Sequence, residues 1–147
     1  MLVRVSAGKG DGNPDEPYRL SVTARPAEAG AEREPNDTPG KATALPPGAT
    51  GSGLVAPRGD VDFWQAPATP DSEGNVAVTV AGVPGVALDV RVRAQGGREL
   101  GRFKVAPGAG PSSHVVTGGD GCCLVEVREA SGRGANARDR YTVVVGK

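Results

Sequence analysis

Isoleucine is absent from this chain of 147 residues, and the side chains that most often carry chemistry are scarce: one histidine, one tryptophan, two cysteines. A single histidine excludes a polyhistidine metal centre and leaves one candidate imidazole base. The two cysteines are adjacent, at Cys122 and Cys123, which excludes the paired-ligand spacing of a structural zinc site. No apolar run approaches the ~20 residues of a membrane-spanning helix, and no secretory leader is visible. In a chain that reads as a piece of a longer protein, that second absence leaves export open. Seventeen basic and seventeen acidic residues cancel, so the charge balance argues against nucleic acid or an anionic membrane as partner.

Glycine and proline are abundant, at 23 and 13 residues, which favours turns over long helices. The bias towards Ala, Gly, Pro, Val and Arg points to a GC-rich bacterial gene. Regularly spaced β-branched residues argue against disorder. Val76, Val78 and Val80 alternate with Ala77 and Thr79, and Leu88, Val90 and Val92 alternate with Asp89, Arg91 and Arg93, which are expected to face water. Further strands are predicted at Asp62 to Ala66, Leu100 to Val105, Ser113 to Thr117, Cys122 to Arg128 and Tyr141 to Val145. A period of two with one apolar face per strand implies sheets covered on one side. The fold class that follows is all-β, an antiparallel β-sandwich with a jelly-roll-like arrangement. Residues 24 to 40 lack periodicity and read as a linker.

The chain nearly repeats its ending at its beginning. Leu2-Val3-Arg4-Val5, a Gly-rich stretch and Tyr18-Arg19-Leu20-Ser21-Val22 return as Leu124-Val125-Glu126-Val127, a Gly-rich stretch and Tyr141-Thr142-Val143-Val144-Val145. This points to a tandem array, with residues 1–27 the closing hairpin of one copy plus linker and residues 28–147 a complete copy. The hairpin is expected to pair Leu2 to Ser6 with Arg19 to Thr23 and to seek cover, because an isolated hairpin is marginal in water.

Strand alternation places Cys123 with Val125 and Val127 on the core face and Cys122 on the other, both as free thiols. His114 adjoins Ser112 and Ser113, but neighbours on a strand point to opposite faces, so Ser113 and His114 do not form a catalytic pair. Gly118-Gly119-Asp120-Gly121 precedes a strand rather than a helix and is no phosphate loop. No catalytic residue is assigned.

The densest chemistry lies in Glu32-Arg33-Glu34-Pro35-Asn36-Asp37-Thr38 and Gly59-Asp60-Val61-Asp62-Phe63-Trp64. Two extended residues apart, Glu32 and Glu34 point the same way, and Asn36 and Asp37 can close an oxygen shell at a turn. Asp60 and Asp62 can add ligands from a strand start. Six to eight oxygens in a flexible shell suit calcium; the competing reading is an Asx turn and a solvated turn without metal.

These two stretches, with Gly121 to Val127 and Tyr141 to Val145, resemble the bacterial pre-peptidase C-terminal domain family over residues 28 to 147. The resemblance implies a jelly-roll-like β-sandwich carried by secreted or cell-surface bacterial proteins, some of them peptidases and others tandem surface proteins. Related collagen-binding domains of collagenases use a similar acidic linker for calcium, which implies Ca2+ held by Glu32, Glu34, Asn36, Asp37, Asp60 and Asp62. Where this family more often has aromatics, the chain has Cys122-Cys123-Leu124. The functional expectation is a non-catalytic extracellular module that spaces, binds or stabilises. Its partners would be neighbouring domains of the same chain or an extracellular polymer or protein. The alternative is a removable C-terminal domain of a secreted peptidase.

Overall fold

The computed structural model describes Val5, residues 17–21, residues 28–117 and residues 122–146. Within these the strands are β1 (Thr43–Ala44), β2 (Thr50–Val55), β3 (Val61–Gln65), β4 (Asn75–Ala81), β5 (Leu88–Ala94), β6 (Glu99–Val105), β7 (Ser112–Thr117), β8 (Cys122–Glu129) and β9 (Asn136–Gly146). They form a β-sandwich of two sheets, ordered β1-β3-β8-β5-β6 and β2-β9-β4-β7. All pairings are antiparallel except the short β1–β3 contact.

The alternation written in the sequence becomes the packed interior. Val76, Val78 and Val80 of β4 and Tyr141, Val143 and Val145 of β9 meet Leu88, Val90 and Val92 of β5 and Val125 and Val127 of β8 across the sandwich. Each of these side chains is fully buried, and each aliphatic one stabilises by roughly 1.5–3 kcal/mol relative to exposure. Trp64 of β3 fills the space over β2, where the facing positions are Gly51 and Gly53. A Cβ on Gly51 would lie 2.8 Å from Trp64 Cζ3 and 2.9 Å from Val143 Cγ1. The glycines are there because that volume is occupied by Trp64 from the opposite sheet at Gly51 and by Tyr141 of the adjacent β9 and Glu32 at Gly53.

Three expectations need correction. The segment read as a linker is built into the fold from residue 28 onward. Ala31 forms a parallel bridge to Ser52, with Ser52 N donating to Gly30 O at 2.8 Å and Glu32 N to Ser52 O at 3.0 Å. This strip covers the free edge of β2, and unpaired edges are otherwise sticky. Asp89 does not face water: it is 1% exposed beneath a layer of arginines. Cys122 and Cys123 are both buried and joined to each other by a disulfide, so neither is a free thiol. The start of β8 is irregular there, its register against β5 slipping between Arg93 and Ala94, which removes the regular-strand premise of the expectation. Of the hairpin remnant, Val5 and residues 17–21 are exposed and belong to no strand; its other residues lie outside the described ones.

Candidate functional site

Five of the six candidate ligands converge where residues 32–36 cross the start of β3. Backbone bonds fix the crossing: Phe63 N donates to Asn36 O at 3.1 Å, and Arg33 N donates to Thr43 Oγ1 at 3.0 Å. Glu34, Asp60 and Asp62 each bring a carboxylate oxygen into one group, all within 4.8 Å of one another. Asp60 is held from behind, its Oδ2 accepting Ala56 N at 2.8 Å. Glu34 reaches inward from an exposed position, while Asp60 and Asp62 are buried.

The fully buried Asn36 carboxamide stands between two of these acids, 2.9 Å from Glu34 Oε2 and 3.2 Å from Asp62 Oδ1. With its nitrogen turned to them it donates to both. Turned the other way, its oxygen would face these carboxylates, an arrangement that a bound cation or a proton would satisfy.

Asp62 has a second side. Its Oδ2 accepts Tyr141 Oη at 2.7 Å, and Tyr141 Oη in turn accepts Trp64 Nε1 at 2.8 Å. Trp64 and Tyr141 meet edge to face, with centroids 6.4 Å apart. Glu32 lies on this inner side: its Oε1 accepts Leu54 N at 2.8 Å and stands 3.8 Å from Arg140 Nη1. Glu32 Oε2 is buried, its side chain is only 7% exposed, and a proton shared with Asp62 is the donor the chemistry supplies. Burial raises the Glu32 carboxyl above its ordinary value. Burial first, then the charge of Glu32, pushes Asp62 up to about 9. Asp60 is also raised, by burial and by the charges of Glu34 and Asp37. Asp37 is exposed and lines the mouth with Glu34 and Ala56 to Asp60; it stands at the rim rather than in the group.

The expected residues therefore divide into an outer group of Glu34, Asn36, Asp60 and Asp62, an inner partner Glu32, and a rim residue Asp37. Sequence reasoning missed Tyr141, Thr43 and Gly53. The signal for Gly53 was available, as a Gly-x-Gly at strand spacing marks an approach by something large. Tyr141→Phe removes the donor to Asp62 and orphans the buried Trp64 N–H. It is expected to cost about 2–3 kcal/mol, read from denaturant unfolding.

Ser112 Oγ lies 3.3 Å from Nε2 of the single histidine, His114, on an exposed edge strand, while the ring stacks on Phe103 at 3.7 Å. Among the described residues no carboxylate hydrogen-bonds that imidazole, so the orienting third member of a triad is missing from it. Among the described residues no helix is long and apolar enough to cross a membrane. No family model matches the chain, and no curated protein matches it.

Proposed function

We propose that the chain is a non-catalytic β-sandwich module of an exported bacterial protein, one unit of a tandem set, in which calcium fastens the acidic strip at residues 32–36 to the start of β3. The observation that carries this is the group Glu34, Asp60 and Asp62, drawn from the strip at residues 32–36 and from the start of β3, beside a carboxamide that can offer oxygen. Acids from separate segments held this closely repel one another, and a hard divalent cation removes that repulsion. The resemblance of Glu34 to Thr38, Gly59 to Trp64 and the closing strands to pre-peptidase C-terminal domains supports export. The near-repeat of Leu2 to Val22 at Leu124 to Val145 supports the array.

Glu34, Asn36, Asp60 and Asp62 would hold the ion, with Asp37 adding charge at the rim. The metal supplies charge neutralisation and cross-linking. Because it binds the folded form, calcium at ~100 times its dissociation constant stabilises by roughly 2.7 kcal/mol. Thermal melting in millimolar calcium, magnesium or chelator tests this. Calcium is expected to raise the midpoint by several degrees, and magnesium to do less, since it keeps its waters and prefers tight octahedral sites. Glu34→Gln with Asp62→Asn should abolish the response. Equal midpoints for the unaltered protein in calcium and chelator would remove the metal from the reading.

A further inference from the structure

The chain carries no net charge, yet its charges are sorted between the two outer faces. On the β2-β9-β4-β7 sheet the middle of the outer face is Thr50, Ser52, Thr79, Thr142 and Val144, all uncharged. On the β1-β3-β8-β5-β6 sheet the registers Asp89↔Lys104, Arg91↔Arg102, Asp89↔Arg128 and Arg91↔Glu126 gather cations around two acids. Those acids lie underneath. Asp89 receives both arms of Arg102, at 2.8 and 3.0 Å, and both arms of Arg128, at 3.2 and 3.1 Å. Glu126 receives Arg93 Nη2 at 2.7 Å. Burial works against the charge on Asp89, but the two guanidinium forks outweigh it and hold its carboxyl below the ordinary range.

What the face presents outward is therefore guanidinium. The side chains of Arg91, Arg93, Arg102 and Arg128 are 21, 30, 49 and 34% exposed. The set is under-supplied with acceptors. Arg91 Nε stands 3.6 Å from Asp89, beyond hydrogen-bond reach, and Arg91 Nε and Arg93 Nε are buried without an acceptor among the described residues. Arg91 alone of the four makes no hydrogen bond to an acid among the described residues, so its charge is the least compensated of the set.

We propose that this face binds a polymer of carboxylated sugars, a polyuronate. A guanidinium fork matches a carboxylate in two parallel bonds. Cations at adjacent strands and at alternate residues stand about 5 and 7 Å apart, a lattice that an extended chain with one carboxylate per sugar can follow. Sugar hydroxyls, which both donate and accept, suit a face where Glu126 and Asp89 lie just below. A nucleic acid fits less well, because the aromatic on this face, Phe63, is buried and offers no base a stacking platform. The surface is separate from the acidic site and does not depend on the metal reading.

The test is gel retardation of the whole chain by polygalacturonate, in chelator so that calcium cannot bridge carboxylates, beside gels of its methyl ester and of single-stranded DNA. Retardation by polygalacturonate, weakening with salt, is expected. Arg91→Gln with Arg93→Gln should weaken it at least tenfold, while Arg133→Gln with Arg138→Gln, the same charge loss away from this face, should not. If the first variant fails to fold, Arg91→Lys with Arg93→Lys keeps the charge and removes the fork, and the same weakening is expected. Absence of retardation, equal retardation by the ester or by DNA, equal loss in the Arg133 and Arg138 variant, or undiminished binding by the lysine variant would each overturn the assignment.

Discussion

In chelator, the protein is expected to melt several degrees lower at pH 8.5 than at pH 6, and Asp62→Asn to erase most of that difference. The folded state holds a proton on the Asp62–Glu32 pair because burial raises both carboxyls, Asp62 to about 9. The unfolded chain has released that proton once the pH is above the ordinary carboxylate value of 3.8. Between these limits the folded state binds more protons than the unfolded one, so stability falls as pH rises, by roughly 1.4 kcal/mol per pH unit for one retained proton. The contribution is complete below the ordinary value and is lost on passing the raised one. Glu129 works in the opposite sense. The backbone N–H groups of Gly134 and Ser131 hold its carboxyl down at about 2, so its contribution is already complete across the window of the experiment. Calcium should level the profile, since it replaces the proton as the charge that compensates Asp62. A profile equally flat in chelator for the unaltered protein and for Asp62→Asn would show that the pair carries no retained proton.

Gly53→Ala is expected to destabilise by roughly 3 kcal/mol or more, about 10 °C in a domain of this size. On sequence grounds alone the sign should be reversed, because glycine within a strand is entropically unfavourable and alanine usually improves it. Here the added Cβ would fall on Glu32 Oε2 and lie 2.5 Å from Tyr141 Oη, inside the buried chain that links Trp64, Tyr141 and Asp62. Neither neighbour can withdraw cheaply: Glu32 is bonded to Leu54 N, and Tyr141 lies between Trp64 and Asp62. Gly110→Ala, where a Cβ meets nothing within 4 Å, should stay within about 0.5 kcal/mol. Calorimetry of the two variants decides it; a neutral Gly53→Ala would mean that Glu32 and Tyr141 pack more loosely against β2 than their geometry implies.

Strands β3 to β9 are legible in advance, most clearly where the inward residues are β-branched or leucine, in β4, β5, β8 and the end of β9. Strand β2 was not legible, since Gly51-Ser52-Gly53 has poor strand propensity and owes its place to rings contributed by β3 and β9. Period two assigned Asp89 correctly to the outer face but carried no information about what covers that face. Two arginines arriving from β6 and β8 bury it, and that depends on register. The acids of the candidate site were legible by their density, and their grouping followed. The split of that grouping into outer and inner halves was not, because it turns on Tyr141, whose ring sits in the core while its hydroxyl reaches the acids.

The strip at residues 30–32 has a mechanical consequence. It runs parallel to β2, and β9 runs antiparallel to β2 on the other side, so Glu28 and Gly146 lie at the same end of the sheet. Tension applied through these two points would not shear three strands at once. It would peel the strip from β2 one hydrogen bond at a time, like the flap of an envelope, and the peel would advance directly towards Glu32 and Glu34. Whatever neutralises the acids would then serve as the catch of that flap, deciding at what pull the module lets out slack while its core of valines stays shut.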